Sequence, residues 1–281
     1  MEVLIPGFDL ALTADSGQCF RFDRLESDRW RVIAKGQVLE IQALREDRFH
    51  LSCDTSAYAH TWHNYLDLDR DYRAILALIS PEDTYLQAAA GYAGGLRLLR
   101  QDPWEMLISF IISQRKNMQA IKGCVAKLST LYGTSLGEGL YAFPAPGQLA
   151  ELDLPALNAC GLGYRSRYIQ ATARAMAEGA VSLTAMAALD DEALQKELCS
   201  LSGVGIKVAQ CVMLFAYQRM DAFPRDVWID RVLREQYPQG FPLHLYPGCA
   251  GILQQQLFCY RRHIAGRNAG KDAPTVSTSK D

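Results

Sequence analysis

The sequence predicts an α+β protein, in which a small N-terminal antiparallel β-sheet domain is followed by a mostly α-helical body. Between residues 30 and 53, apolar and polar residues alternate with the period of two that a half-solvated antiparallel sheet produces. From about Asp71 onward, apolar residues instead recur at i, i+3 and i+4, the period of an amphipathic helix. We therefore expect a β domain in residues 1–80, a helical body in 81–265 and a disordered polar tail in 266–281.

The individual elements follow from these two periods. Strands are predicted at 30–34 and 38–42, on either side of a turn at Lys35-Gly36-Gln37, and at 48–53. Asp102-Pro103 marks a helix start, because Asp caps the first turn and Pro is tolerated there. Helices are predicted at 73–79, 85–99, 104–132, 149–160, 164–179, 190–199, 207–217, 227–237 and 251–263.

Composition narrows the class of protein. Hydrophobic residues make up 49% of the 281 residues, enough for a sizeable core. No apolar run approaches the roughly 20 residues of a membrane span, and the first residues lack a basic start followed by an apolar stretch. We therefore expect no membrane partner, no secretory signal and a cytoplasmic location, associated with the nucleoid in a prokaryote. A net charge of −2 counts mildly against nucleic-acid binding, but local patches decide that question.

The cysteines indicate neither a metal site nor a disulfide framework. Their eight positions are scattered, without the close spacing of zinc, iron–sulfur or disulfide motifs, so we expect reduced and mostly buried thiols. They are Cys19, Cys53, Cys124, Cys160, Cys199, Cys211, Cys249 and Cys259. His60-x-x-His63 lacks a matching carboxylate pattern, so a metal hydrolase is disfavoured and no metal is expected.

The segment 201–209 reads LSGVGIKVA and lies between two predicted helices. Gly203, Val204 and Gly205 can form a hairpin that leads into a helix N-terminus, where backbone N–H groups attract a DNA phosphate. Lys207 lies in the first turn of that helix, where the helix dipole opposes a cation and so favours a neutral, nucleophilic amine. Nineteen residues later, Asp226 precedes another helix. A tight turn, a surface lysine and an N-cap are the plainer interpretations of these residues.

Together with FPRDV at 223–227, this segment resembles the helix-hairpin-helix glycosylase superfamily, whose motif is a hairpin, a Gly/Pro-rich loop and a catalytic Asp. The resemblance implies that residues 81–265 form a helix-hairpin-helix glycosylase body with Asp226 as the catalytic carboxylate. A lysine at position 207 is typical of the bifunctional members, which couple base removal to strand cleavage.

Further segments resemble the 8-oxoguanine DNA glycosylase branch, over nearly the whole chain. SGQCFRF at 16–22 implies that the Gly17 carbonyl accepts the N7 hydrogen that 8-oxoguanine has and guanine lacks. Cys211 lies four residues after Lys207, and the family places a cysteine there against one face of the flipped base. Gln254 and Phe258 match the family's residues for the Watson–Crick edge and the opposite face.

Two more segments resemble the family's DNA-contacting parts. GLGYRSRY at 161–168 implies that Tyr164 fills the gap in the base stack and that Arg165 contacts the orphaned base. SQRKNMQA at 113–120 provides Arg115 and Asn117 as DNA-binding residues. Members that demand cytosine opposite the lesion carry Asn and Arg at the positions of Arg115 and Ala120, so we expect a relaxed opposite-base preference.

The resemblance implies a bifunctional DNA glycosylase/AP lyase of base excision repair. Its partner would be double-stranded DNA containing 8-oxoguanine, and we expect a monomer. Lys207 would attack C1′ and form a Schiff base that permits β-elimination, without a cofactor; the hairpin carbonyls are a candidate site for a structural monovalent cation. The alternatives are an alkylated-base (3-methyladenine-type) glycosylase of the same superfamily and a non-catalytic helix-hairpin-helix DNA-binding module. Trp228 stands where the family commonly has His, which leaves that phosphate contact open.

Overall fold

The computed structural model describes the backbone of residues 1–271 and the side chains of residues 1–267. Its N-terminal part is a five-stranded antiparallel sheet with the strand order β1-β5-β4-β3-β2. The strands are β1 Glu2–Leu4, β2 Phe22–Arg24, β3 Arg29–Ala34, β4 Gln37–Ala43 and β5 Arg48–Leu51, and a separate hairpin joins β6 Ser135–Gly137 to β7 Leu140–Tyr141. The predicted α+β class, a small antiparallel sheet before a helical body, is confirmed.

The alternation that predicts β3 and β4 is the alternation of burial in the sheet. Trp30 pairs with Ile41, and Val32 pairs with Leu39. All four side chains lie in one hydrophobic cluster, while the residues between them face outward. One face of the sheet therefore forms the core of the N-terminal part.

Fifteen α-helices are described in residues 1–271. They are α1 Leu10–Asp15, α2 Thr55–Ala57, α3 His63–Tyr65, α4 Tyr72–Ala77, α5 Thr84–Ala93, α6 Pro103–Ser113, α7 Met118–Tyr132, α8 Pro146–Ala150, α9 Leu154–Ala159, α10 Arg165–Ala177, α11 Leu183–Met186, α12 Asp191–Ser200, α13 Ile206–Phe215, α14 Val227–Gln236 and α15 Ala250–Lys271. A π-helical turn, Tyr58–Trp62, joins α2 to α3, and a 3-10 turn, Leu243–Leu245, precedes α15.

Several predicted helices are wrong in extent; the one predicted at 149–160, for example, spans the end of α8, a break and α9. The helix predicted at 85–99 ends at Ala93, because the chain turns at Gly94 and Gly95, and a Cβ at Gly95 would lie 2.8 Å from the Asp9 side chain. The helix predicted at 104–132 is divided into α6 and α7. Arg115 adopts a left-handed φ of +52° at the break, and Asn117 caps the new helix.

At the C-terminus, α15 extends to Lys271, so residues 266–271 of the predicted tail are helical. The rest of that predicted tail, 272–281, lies outside the described residues. The 81–265 and 1–80 boundaries stay predictions.

Three buried hydrogen bonds of Gln18 join the segment after α1 to the helical body. The Gln18 side chain is fully buried, donates to the carbonyl of Arg97 over 2.8 Å and accepts from the backbone N–H of Leu99 over 2.8 Å. In return, Gln101 Nε2 donates to the backbone carbonyl of Gln18 over 2.7 Å. Because buried polar groups are costly to leave unpaired, this exchange fixes the backbone next to Gly17.

No helix within residues 1–271 combines the length and the apolar character that a membrane crossing requires. The predicted cytoplasmic location and the monomeric state stay predictions.

Candidate active site

Lys207 lies in the first turn of α13, half-buried, with its amine close to the end of α6. Its Nζ donates to Ser113 Oγ over 3.4 Å and lies 5.4 Å from the centre of the Phe110 ring. Ser113 Oγ in turn donates to the carbonyl of Phe110 over 2.8 Å. Since the single hydroxyl hydrogen is used in that bond, Ser113 presents only lone pairs to the amine. The contact therefore holds one N–H of Lys207 and leaves the rest of the amine available.

Asp226 is the N-cap of α14, so the capping interpretation of this residue is confirmed. Its Oδ1 accepts from the backbone N–H groups of Trp228 over 3.0 Å and Ile229 over 2.9 Å. Both capping bonds use the same oxygen, which leaves Oδ2 for other contacts. The cap does not compete with a catalytic role, because it fixes the orientation of the carboxylate.

Lys207, Asp226 and Cys211 share one partly desolvated environment. Burial raises the pKa of the Asp226 carboxyl above its ordinary value, although the α14 N–H groups and the charge of Lys207 lower it. Burial also raises the pKa of the Cys211 thiol to about 11, opposed by Lys207 and reinforced by Asp226. Cys211 is therefore a neutral side chain against which a ligand can pack. The Lys207 amine and the Asp226 carboxylate lie close enough to it, and to each other, to interact electrostatically.

Gly17 lies beside the Phe258 ring, although 241 positions of sequence separate residue 17 from residue 258. Gly17 has a left-handed φ of +78°, and a Cβ built on it would lie 3.5 Å from the Phe258 ring and 3.6 Å from Met118 Sδ. A side chain at position 17 would both strain the backbone and fill the space over the ring. On the same ring, the Arg262 guanidinium lies 5.3 Å from the centre.

Gln254 connects this region to the loop before Asp226. Its side chain is 2% exposed, and Nε2 donates to the carbonyl of Pro224 over 2.8 Å. Pro224 precedes Asp226 by two residues, so the amide and the carboxylate are held by one short loop. The structure thus relates Cys211 to Lys207 and Asp226 by charge, Gln254 to Asp226 by this loop, and Gly17 to Phe258; that these four residues line one base-binding site stays a prediction.

The hairpin at 203–205 is held tightly to α10. Gly203 has a φ of +78°, and a Cβ there would lie 2.4 Å from the Tyr168 ring. Val204 is buried and anchors the hairpin in the helical core, while Gly205 is the N-cap of α13. Gly203 and Gly205 therefore shape the turn, and the side chain of Val204 faces the interior.

Several hairpin carbonyls already accept hydrogen bonds. That of Gly203 accepts from Gln114 Nε2 over 2.9 Å, and that of Leu201 accepts from the N–H of Val204 over 3.1 Å. Each carbonyl keeps a second lone pair, so the monovalent cation at the hairpin stays a prediction. Within the described residues, no group of three or more His, Cys, Asp or Glu side chains could hold a metal ion.

Tyr164 and Arg165 occupy different environments. Tyr164 is 52% exposed and lies edge-on to Tyr168, with 6.0 Å between the ring centres. The Arg165 guanidinium stacks 4.4 Å from the Tyr164 ring, is buried, and donates to the carbonyls of Leu162 and Gln114. The structure therefore presents the aromatic ring to solvent and turns the guanidinium inward as its support. The contact of Arg165 with an orphaned base stays a prediction.

Arg115 and Asn117 lie in the loop between α6 and α7, and both are exposed. Asn117 uses its side-chain oxygen to cap α7, accepting from the N–H of Ala120 over 2.8 Å. Its amide hydrogens and the Arg115 guanidinium remain at the surface, so DNA contacts by both residues stay predictions.

The sequence-based interpretation missed Ser113, Gln114 and Tyr168. Each acts through a residue far away in sequence, as when Ser113 accepts from Lys207 and Gln114 donates to Gly203. Only the polar break after the apolar run of α6 hinted at a role for the first two.

Comparison with known proteins decides the family. Residues 4–107 match the 8-oxoguanine DNA glycosylase N-terminal domain, and residues 108–239 match the HhH-GPD superfamily of base excision DNA repair proteins. The structure of a Clostridium acetobutylicum 8-oxoguanine glycosylase/lyase, bound to double-stranded DNA containing cytosine opposite 8-oxoG, is 32% identical. The two structures superpose with a TM-score of 0.85 over 92% of this chain and 93% of that one. This chain belongs to the 8-oxoguanine DNA glycosylase family.

Other relatives agree with this placement. A probable N-glycosylase/DNA lyase of Methanothermobacter thermautotrophicus is 29% identical over 269 residues, which cover 85% of each chain. A 3-methyladenine DNA glycosylase from Archaeoglobus fulgidus is 17% identical with a TM-score of 0.74, over 94% of this chain and 99% of that one, and shares the fold alone. Membership of the 8-oxoguanine DNA glycosylase family confirms the prediction of a DNA glycosylase with lyase activity, as opposed to a non-catalytic binding module.

Proposed function

We propose that this protein is a bifunctional DNA glycosylase/AP lyase that extrudes 8-oxoguanine from duplex DNA, removes it and nicks the strand through a Schiff base on Lys207. The observation that carries the proposal is the shared environment of Lys207, Asp226 and Cys211 beside Gln254. An amine and a carboxylate within each other's field, next to two buried side chains that fit a flipped base, are the groups this chemistry requires.

The proposed reaction begins when the neutral amine of Lys207 attacks C1′ of the extruded nucleotide. The bond from C1′ to the base breaks, and the base leaves with the electron pair and gains a proton. Positive charge develops on the sugar in this step, and the Asp226 carboxylate, oriented by its capping bonds, stabilises it. The covalent adduct opens to an iminium ion, and loss of a C2′ proton then expels the 3′ phosphate. Hydrolysis of the imine returns Lys207 as the free amine.

Recognition of the base is proposed to depend on the position of Gly17 beside the Phe258 ring. The Gly17 carbonyl would accept the N7 hydrogen of 8-oxoguanine, where guanine presents a lone pair instead. One hydrogen bond replaced by repulsion is worth roughly 1–3 kcal/mol. The missing side chain at position 17 keeps the backbone close to the Phe258 ring, on which the base would stack.

The partner under this proposal is double-stranded DNA, held by the N-terminus of α13 and the exposed Tyr164. Ile206, at the first position of α13, is 63% exposed, so the helix N-terminus opens to solvent and can receive a phosphate. Tyr164 would fill the space left by the extruded base. No cofactor takes part in the proposed reaction.

The direct test is a single-turnover assay on a duplex with one 8-oxoguanine. We expect base release by the wild type and a loss of at least about 100-fold in Asp226→Asn, since the developing charge loses its counter-ion. A matched control is Asp230→Asn, an exposed carboxylate one turn further along α14. A second duplex carries 3-methyladenine; release of that base without strand cleavage, together with no release of 8-oxoguanine from the first duplex, would instead support the alkylated-base alternative.

A further inference from the structure

The Arg262 guanidinium joins α15 to the segment that carries Gly17. Its Nη1 donates to the backbone carbonyl of Asp15 over 2.9 Å, and its Cζ lies 5.3 Å from the centre of the Phe258 ring. Arg262 and Phe258 are four residues apart on α15, so they lie on the same face of the helix. One side chain thus contacts both the ring on which a base would stack and the backbone two residues before Gly17.

Both of these contacts suit a guanidinium. Asp15 is the last residue of α1, so its carbonyl is one of those that have no partner within the helix and carry partial negative charge. The face of a phenyl ring is also negative and attracts a cation. A planar guanidinium can direct one N–H to the carbonyl while it lies against the ring. A cation on one face of the ring leaves the other face for a stacked base.

The other hydrogen bonds near Gly17 connect it to a different part of the protein. Gln18 bonds to the segment 97–101, and Ser16 Oγ donates to the carbonyl of Thr13 over 2.8 Å, within its own segment. In the part of the chain that the structure describes, the bond from Arg262 is the one hydrogen bond between residues 13–18 and α15. Gln18 therefore fixes this segment relative to residues 97–101, whereas Arg262 fixes it relative to the helix that carries Phe258.

The base recognition proposed at Gly17 depends on its position relative to the Phe258 ring. The Gly17 carbonyl has to meet the N7 hydrogen of a base that stacks on that ring, and a hydrogen bond weakens steeply when its geometry is poor. Gly17 has no side chain that could hold it against the ring. Contacts between non-bonded atoms are individually weak and do not aim a carbonyl. A directional bond close to Gly17 is therefore needed to keep its carbonyl in place.

We propose that Arg262 is a positioning residue that sets the distance between the Gly17 carbonyl and the Phe258 ring, and thereby increases the preference for 8-oxoguanine over guanine. This rests on the proposed function, because it takes Gly17 and Phe258 as residues that contact the extruded base. Arg262 acts through these two residues and does not itself contact the DNA.

Three variants separate this role from other effects. Arg262→Met removes the hydrogen bond and the cation but keeps an unbranched side chain that packs against a ring. Arg261→Met makes the same change at the adjacent residue, whose guanidinium bonds to Glu235 on α14. Asp15→Asn changes the side chain of Asp15 and leaves its backbone carbonyl, the acceptor of the Arg262 bond, in place.

The test compares duplexes that carry 8-oxoguanine, guanine or a reduced abasic site at the same position. Dissociation constants are measured with full-length Lys207→Gln protein, which leaves the base in place, alone and combined with each variant. We expect Arg262→Met to lower the preference for 8-oxoguanine over guanine about threefold to tenfold, the size of one hydrogen bond. Its affinity for the abasic duplex should stay within about twofold, because no base is present there. Arg261→Met and Asp15→Asn should keep both values within about twofold.

An unchanged preference in Arg262→Met, or an equal loss of preference in either control variant, would overturn the positioning role. Equal weakening on all three duplexes would also overturn it, because Arg262 would then be a contact to the DNA backbone. Wild-type excision is measured on the same 8-oxoguanine duplex. If the wild type releases the base while Arg262→Met keeps the preference, only the role of Arg262 fails; if the wild type releases none, the proposed function fails as well.

Discussion

Gln114 Nε2 donates a hydrogen bond of 2.9 Å to the backbone carbonyl of Gly203 and so joins the loop between α6 and α7 to the hairpin. The carbonyl of Gln114 accepts from the buried Arg165 guanidinium, and this guanidinium stacks on the Tyr164 ring. The loop, the hairpin and the exposed aromatic ring are therefore parts of one connected surface. This surface is the part of the protein that we propose to contact DNA.

Removal of the hydrogen bond between Gln114 and Gly203 should lower the affinity for DNA more than it lowers the rate of base excision. Gln114→Ala removes the hydrogen bond to the Gly203 carbonyl, so the position of the loop relative to the hairpin is less fixed. We expect DNA affinity to fall about tenfold, with the single-turnover excision rate of saturated enzyme within about threefold of the wild type. Fluorescence anisotropy gives the affinity, and Gln119→Ala, an exposed residue on α7, is the control. Unchanged affinity in Gln114→Ala would contradict the proposed connection.

Ser113 should affect the chemical step. In Ser113→Ala the Lys207 amine loses the hydroxyl that accepts its N–H, so it samples more orientations. We expect covalent adduct formation to slow about tenfold while DNA affinity stays the same. Ser109→Ala is the matched control, because Ser109 lies one turn earlier on α6 and its buried Oγ has no hydrogen-bond partner. Equal rates in Ser113→Ala and Ser109→Ala would show that the hydroxyl has no effect on the amine.

Much of this architecture could be predicted from local sequence, and the failures have a common physical cause. The alternation at 30–42 predicted β3 and β4, whereas β1 and β2, three residues each, are too short to show a period and depend on pairing with distant strands. The long helix predicted at 104–132 failed at the polar segment 113–117, because no proline or glycine there marks the break at Arg115. There the cap on Asn117 overrides the periodic pattern.

The residues of the candidate site also fall into those that local sequence predicts and those that it does not. Lys207 and Asp226 belong to a compact motif and could be proposed from it, and the capping role of Asp226 followed from its position before a helix. Ser113 could not, because its importance depends on an amine 94 residues away. Arg165 was predicted to contact the orphaned base; in the structure its guanidinium is buried, and its hydrogen bonds to two backbone carbonyls explain how a charged group can be buried.

The buried carboxylate Glu105 should make stability depend on pH. Burial raises the pKa of Glu105 to about 7 from an ordinary 4.5, although Arg21, 3.5 Å away, lowers it. Between these values the folded protein binds a proton that the unfolded chain has lost, so stability present below about pH 4.5 is lost as the pH rises through about 7. From pH 5 to pH 8 the wild type should lose about 2–3 kcal/mol more unfolding free energy than Glu105→Gln.

Urea unfolding at the two pH values measures this difference. Glu151→Gln, which changes an exposed carboxyl, is the control and should keep the wild-type dependence. If Glu105→Gln shows the same dependence as the wild type, another group is responsible.

Opposite-base preference should depend on the loop between α6 and α7. The family residues that favour cytosine are replaced by Arg115 and Ala120, so we expect similar excision of 8-oxoguanine opposite C, T, G and A. The double variant Arg115→Asn with Ala120→Arg restores the hydrogen-bonding groups, and we expect it to favour cytosine by about tenfold. Single-turnover rates on the four duplexes measure this, and a strong cytosine preference in the wild type would refute the prediction.

Covalent trapping with borohydride tests the central proposal most directly. Reduction of the Schiff base should link the wild type to a duplex containing 8-oxoguanine, and Lys116→Gln, a lysine in the loop after α6, should trap equally well. Lys207→Gln should give no adduct while still binding the duplex. An adduct of wild-type yield in Lys207→Gln, or none in the wild type, would contradict the assignment of Lys207 as the nucleophile.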